Sequence, residues 1–254
     1  MIYVTVPGDT VSSISRQSGV PAWKIIYDNQ LGEEGKLTVG QALLLLKPQE
    51  SAEIRENLYV TGYAYPFIEP YVLEMAFPAL NELLVFSYGF TFEGELVPPI
   101  QDETWMIQLA WENGIEPMLV LTPFTQGVFN NQLIQTLVEE ESVRENVITN
   151  LLKVVEEKGY VGVDVDFEYV RAQNREGYAK FVGELRAAMN KKGYRVSVAL
   201  APKTSSDQKG PLYEGIDYAL LGEQADRLFL MTYEWGYSYG PPMAVAPLTK
   251  SVRW

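Results

Sequence analysis

The stretch YVGVDVDFEYV, Tyr160–Val170, decides the fold. Three acids, Asp164, Asp166 and Glu168, stand at every second position, and Val161, Val163, Val165 and Phe167 flank them. A period of two is a strand pattern, so the carboxylates share one face and the apolar residues the other. Acids two apart lie about 6–7 Å apart along such a strand. Buried unpaired charge is costly, so this face cannot lie under the helices of a doubly wound sheet. The interior of a β/α barrel removes the conflict. There, successive acids share protons and hydrogen bonds while the last opens into a cleft. Catalytic residues of such barrels sit at the C-terminal ends of strands, and Glu168 is nearest that end. The plain alternative is an edge strand with a solvated polar face. The amphipathic helix before the stretch argues against it, because it covers the apolar side.

Outward from this strand the chain keeps a strand–helix rhythm. LYVTGYAYPF (58–67), LLVFSYGF (83–90) and EPMLVLTPF (116–124) read as strands before it. YRVSVALAP (194–202) and ADRLFLMTYEW (225–235) read as strands after it. Between them, YVLEMAFPALNE (71–82) reads as a short helix and TWMIQLAWENG (104–114) as a helix stopped by Gly114. In SVRENVITNLLKVVEEKG (142–159), Val143, Val147, Leu151 and Val154 share a face and Gly159 ends the helix. In GYAKFVGELRAAMNKKG (177–193), Tyr178, Phe181, Val182, Leu185 and Met189 form the apolar side. Strands alternating with helices imply parallel βαβ units. GYAYPFIEP lacks the glycine-rich phosphate loop of a doubly wound sheet, which again favours the barrel.

Composition narrows the chemistry. The 254 residues contain neither Cys nor His. That excludes disulfides, thiolate or histidine metal sites, Ser-His-Asp triads and Cys-His pairs. Acid–base work falls to carboxylates, Tyr or Lys, and neither a metal nor a cofactor is expected. A formal charge of −13 without a basic stripe makes nucleic acid an unsuitable partner. No apolar run approaches the length of a membrane span, so no membrane insertion is expected. The N-terminus MIYVTVPGDT has no basic region and shows no secretory signal. Sixteen Tyr and five Trp suit a groove that stacks on sugar rings.

Residues 1–48 form a separate unit, and 49–57 a polar linker ahead of a domain from 58 to 254. The unit opens on alternating Ile2, Val4 and Val6, then the turn Gly8-Asp9-Thr10. A helix pattern with Val11, Ile14 and Ser15 follows, then a second with Trp23, Ile26 and Tyr27, ended by Asn29. LTVGQALLLL (37–46) closes it as a strand. This small βααβ unit resembles a LysM module: Gly8-Asp9-Thr10, Asn29 and Gly40-Gln41 stand at that family's spacing. The resemblance implies binding of N-acetylglucosamine-containing glycans through Gly8, Asp9, Thr10, Asn29, Gln30 and Leu31.

The acidic strand also carries a resemblance. Gly162, Asp164, Asp166 and Glu168 are similar to the D-G-x-D-x-D-x-E signature of family 18 glycoside hydrolases, the chitinase-like barrels. Val161 stands where that signature has its first Asp, and Phe167 where it often has Trp. Met231, Tyr233 and Glu234 match the family's M-T-Y-[DE] segment on the sixth strand. The TPFT turn at 122–125 and the EWG and PPMAV segments resemble LysM-bearing spore cortex-lytic N-acetylglucosaminidases.

What the resemblance implies is a retaining, substrate-assisted glycosidase, one of the exceptions to the two-carboxylate scheme. The 2-acetamido group of the sugar attacks the anomeric carbon. Glu168, its pKa raised by Asp166, protonates the leaving oxygen and then activates water. Asp166 orients the acetamide N–H, Asp164 holds the shared proton, and Tyr233 donates to the acetamide oxygen. Tyr63, Tyr65, Phe90, Met231, Glu234 and Trp235 are candidate sugar contacts. The expected substrate is peptidoglycan, with spore cortex foremost and a spore-coat, cortex or cell-wall location. A weakly active or inactive peptidoglycan- or chitin-binding spore-coat protein is the alternative, and a chitinase a distant third.

One expectation runs against activity. Six strands are legible, whereas a closed barrel of this type has eight. Without the last two, the first and sixth strands would expose unpaired edges. A chain of this extent is then expected to be poorly active, unstable or self-associating.

Overall fold

The computed structural model describes residues 1–31, 35–46, 58–125, 128–233 and 239–240. The polar segment read as a linker lies outside the described residues. Two compact units emerge, Met1–Leu58 and Tyr59–Leu230.

In the first unit, β1 (Ile2–Val4) is followed by α1 (Val11–Ser18), α2 (Ala22–Asp28) and β2 (Ala42–Leu44). The two strands pair antiparallel, Tyr3 opposite Leu43. Val11, Ile14, Val20, Ile25, Leu43 and Leu45 form a core of their own. Gly8 turns the chain at φ +91°, a conformation open to glycine. Asp9 accepts from the Val6 N–H at 2.7 Å and the Tyr3 hydroxyl at 2.9 Å, fixing that turn. Thr10 caps α1 in a reciprocal box with Ser13. The apolar pattern assigned to α2 needs correcting. Ile25 is its buried residue, whereas Trp23 and Tyr27 are 67% and 70% exposed. Their four-residue spacing places them together on the solvent side.

Asn29 joins α2 to β2. Its Nδ2 donates to the carbonyls of Ile25 and Leu44, both at 2.9 Å, and its Oδ1 accepts from the Leu44 N–H at 2.6 Å. The side chain thus pairs with Leu44 as a neighbouring strand would. Asn29→Ala is expected to destabilise this unit by about 0.5–1.5 kcal/mol, because it removes hydrogen bonds to backbone groups that water can still reach. Thermal or denaturant unfolding followed by circular dichroism checks this, and an unchanged midpoint would count against it.

The second unit begins with β3 (Thr61–Ala64), α3 (Pro70–Ala76), β4 (Glu82–Phe90) and β5 (Leu96–Val97). Then come α4 (Thr104–Glu112), β6 (Glu116–Leu121), β7 (Phe124–Thr125), β8 (Val128–Phe129), α5 (Asn131–Glu139) and α6 (Glu141–Lys158). The last elements are β9 (Gly162–Val165), α7 (Arg175–Asn190), β10 (Arg195–Leu200), α8 (Tyr218–Gln224) and β11 (Arg227–Leu230). The six expected strands pair in parallel and in chain order: β3, β4, β6, β9, β10, β11. Within the described residues, β3 and β11 are the outer strands. β5 adds antiparallel to β4, and β7 and β8 form a hairpin; neither was expected, nor were α5 and α8.

The sheet is curled. If flat, its outer strands would lie five spacings apart, about 24 Å. Yet Tyr63 on β3 and Phe229 on β11 meet edge-to-face with ring centroids 5.4 Å apart. Arg227 on β11 also reaches Glu82 on β4, Nη1 to Oε1, at 3.4 Å. The strands therefore form the arc of a β/α barrel, closed by side chains. Its lower end is a polar floor built from residues that begin strands. Buried Glu82 accepts from Tyr59 and Thr61 at 3.1 Å each and from Arg195 at 3.1 Å. Arg195 also pairs with Glu116 at 2.5 Å. Burial, with the hydrogen bond to Glu116, pushes the Tyr59 phenol up to about 12, so it remains a donor.

The helices cover the outer face. α6 buries Val143, Val147, Leu151 and Val155, so the fourth member of its stripe is Val155 rather than half-buried Val154. α7 buries all five residues expected of it. Gly159 caps α6 at φ +79° and feeds β9. Gly162 then passes so close to β10 that a Cβ there would lie 2.1 Å from the Arg195 carbonyl oxygen. That contact accounts for the glycine in the quoted stretch.

Candidate active site

The regular strand β9 stops at Val165, earlier than the alternation predicts, but pairing continues one residue further. The Asp166 N–H donates to the Leu121 carbonyl at 2.9 Å. Phe167 remains on the covered side, 2% exposed. It stacks between Phe90, Tyr178 and Phe181, at centroid distances of 5.8, 5.4 and 5.8 Å. Tyr169, at φ +57°, turns the chain immediately after Glu168. A bulky residue in that conformation costs about 1–3 kcal/mol. Packing of Phe167 below and Val170 beyond, both buried, holds the turn.

The acids form a depth series. Asp164 is fully buried, Asp166 is 5% exposed and Glu168 is partly exposed. Tyr63 donates to Asp164 Oδ2 at 2.7 Å. Ser197, directly opposite Asp164 in the β9–β10 register, donates to Oδ1. Burial raises the Asp164 pKa, against the pull of the Ser197 and Tyr63 hydroxyls, and the charge of Glu82 adds to the rise. Tyr178, also fully buried, is raised well above the usual phenol range by burial and then by the charges of Asp166 and Asp164, so it stays neutral.

The Asp164 shift has a consequence for stability. A carboxyl raised in the folded state binds its proton more tightly folded than unfolded. Stability therefore falls as pH rises above the ordinary value of 3.8. Asp164→Asn removes this titration. Its melting temperature is expected to decline less than the parent's between about pH 4 and 7. Parallel curves over that range, measured by scanning calorimetry, would exclude the effect.

Two clefts open beside the hairpin β7–β8, and Phe124 and Phe129 line both. One, about 780 Å³, includes Tyr169, Val170, Arg171 and Gln173, the residues that follow Glu168. The other, about 580 Å³, is lined by Tyr65, Phe67, Phe86 and Ile100. Tyr65 and Phe67 stack at 4.8 Å with 19° between their planes and are 48% and 66% exposed. They form an aromatic shelf of the sort on which a sugar ring rests.

The remaining candidate sugar contacts divide. Tyr63 is a hydroxyl anchor for Asp164, with its ring against Phe229 and Phe86. Phe90 needs correcting: at 1% exposure it belongs to the core and offers no face to a ligand. Met231 and Tyr233 follow β11 directly and are half-buried. Glu234 and Trp235 lie outside the described residues. In the first unit, Asp9, Thr10 and Asn29 hold turns and caps. Gln30 is exposed at φ +48°, and Leu31 packs on the core. Ser197, Phe67 and Arg171 were not anticipated. The signal for Ser197 was a lone polar residue between valines in YRVSVALAP. Among the described residues, no cluster of Asp or Glu is arranged to hold a metal ion, and no helix is long and apolar enough to cross a membrane.

A parallel β/α arc whose fourth strand ends in a graded row of carboxylates is the arrangement of a β/α-barrel enzyme with its chemistry at the C-terminal strand ends. The chain belongs to the glycosyl hydrolases family 18, whose family model matches residues 127–253; residues 3–45 match the LysM domain. It is 34% identical over 298 aligned residues to the cortical fragment-lytic enzyme of Bacillus subtilis (strain 168), covering 97% of this chain and 68% of that protein. The crystal structure of the Bacillus cereus spore cortex-lytic enzyme SleL superposes with a TM-score of 0.73 at 30% identity. That match covers 99% of this chain and 58% of the other, so the present chain spans little more than half of that relative's length. A chitinase from Chromobacterium violaceum, 22% identical with a TM-score of 0.70 over 77% of this chain and 62% of its own, shares the fold.

Proposed function

We propose that this chain hydrolyses N-acetylglucosamine linkages in peptidoglycan, with spore cortex as its substrate, by a retaining mechanism in which the sugar's own acetamido group is the nucleophile. The observation that carries this reading is the depth series of Asp164, Asp166 and Glu168 at the mouth of the barrel. Family membership and the cortex-lytic relatives support it. Glu168, the acid nearest solvent, gives its proton to the leaving oxygen and then takes one from water. Asp166 orients the acetamide and stabilises the oxazolinium as charge develops. Asp164, held by Tyr63 and Ser197, sets the protonation and orientation of Asp166. Tyr233 donates to the acetamide oxygen. The Tyr65–Phe67 shelf supports a neighbouring sugar. Residues 1–48 form a LysM module that holds the enzyme on the glycan through Gly8–Thr10 and Asn29–Leu31, with 49–57 as linker to the barrel domain. This reading puts the work at the spore coat, the cortex or the cell wall. Incubation with purified cortex fragments should release new reducing ends. Release from chitin but not from cortex fragments would move the substrate to chitin, and release from neither would defeat the hydrolase reading.

A further inference from the structure

The larger cleft carries chemistry that hydrolysis of a neutral glycan would not need. Arg171 lines it three residues after Glu168, just past the turn at Tyr169. Its Nη1 donates to Gln135 Oε1 on α5 at 3.1 Å, which orients the guanidinium from one side. A guanidinium has five N–H groups in a planar fork, so one such bond leaves donors for a ligand. Arg171 is the cation among the described lining residues, and Glu214 is the anion. The Glu214 carboxylate accepts from the Gly210 N–H at 3.4 Å, within its own loop. The chain as a whole is strongly acidic at −13 and repels anionic glycans, so an oriented cation in a cleft that opens three residues past Glu168 in the chain is an exception.

Peptidoglycan differs from chitin in one charged respect. Every second sugar is a muramyl residue, and where its lactyl ether is not closed into a neutral lactam it ends in a carboxylate or continues into a stem peptide that ends in one. We propose that Arg171 recognises a carboxylate carried by the muramyl sugar next to the scissile bond, and so selects peptidoglycan over chitin. The inference rests on the hydrolase reading above. A planar fork facing a carboxylate gives paired charge-assisted hydrogen bonds, which a neutral chitin sugar cannot replace.

The test compares kcat/KM of the full chain on three fragments: a peptide-free tetrasaccharide of alternating N-acetylglucosamine and N-acetylmuramic acid, the same fragment bearing stem peptides, and chitotetraose. Arg171→Ala is expected to lower kcat/KM about ten- to a hundredfold on the carboxylate-bearing fragments. Turnover of chitotetraose should stay within about twofold. Arg171→Lys, which keeps the charge but not the fork, should recover only part of the loss. Loss on the peptide-free fragment assigns the lactyl carboxylate; loss confined to the peptide-bearing one assigns the stem. Equal loss on all three, or loss on none, overturns the proposal and leaves the hydrolase reading standing. Turnover of no fragment by the parent chain overturns both.

Discussion

Replacing Glu168 by Gln is expected to lower hydrolysis of cortex fragments by about 10²–10⁴-fold, the usual contribution of a positioned general acid–base group. The substitution keeps shape and hydrogen-bonding capacity and removes the titratable proton. Folding should change little, because Glu168 lies beyond the end of β9 and is partly exposed. Glycan affinity should also persist, since the aromatic shelf and the LysM unit are untouched. Retention of a tenth of the parent rate would remove Glu168 from the acid/base role. Equal loss of rate and thermal stability would point to a structural role instead.

The second large effect is on stability. Phe167 sits between the two outer acids in sequence, yet its ring lies in the core against Phe90, Tyr178 and Phe181. Phe167→Ala is expected to cost about 3–5 kcal/mol, as truncation of a buried aromatic leaves a cavity that close-packed neighbours fill only in part. Activity should fall with it, because the same ring holds the segment that presents Asp166 and Glu168. Phe167→Leu keeps most of the volume and should retain the larger share of both. Denaturant midpoints and rates for the two variants check this. A loss below about 1 kcal/mol for the alanine variant would mean that the stacked rings are not what holds the acidic segment.

Much of this architecture was legible because the strands are β-branched and the helices amphipathic. Val161, Val163 and Val165 specify a strand, and the stripe of α7 specifies a helix whose five expected residues are all buried. Where the reading failed, the cause is physical. In a barrel both faces of a strand are covered, so the pattern of β4 could not say that Phe90 points into the core. The register that sets Ser197 opposite Asp164 comes from pairing between strands, which no single segment encodes. Helix α8 spans only Tyr218–Gln224 and includes Gly222, so its apolar period is too short to stand out. Its cap was readable, since Asp217 accepts from the N–H groups of Ala219 and Leu220. Trp23 and Tyr27 were counted toward a buried face because size and apolarity suggest burial, whereas α2 is held to its core by buried Ile25 with Ala22 and Ile26 packed beside it. The acids themselves were found because three carboxylates on one strand face have few stable environments.

The measurement that bears most directly on the central claim is the identity of the new reducing end. Cortex fragments digested with the parent chain, and separately with Glu168→Gln, are to be reduced with borohydride and resolved by mass spectrometry. The account predicts products ending in reduced N-acetylglucosamine from the parent and none above background from the variant. Products ending in reduced muramic acid, or equal product from both proteins, would contradict it.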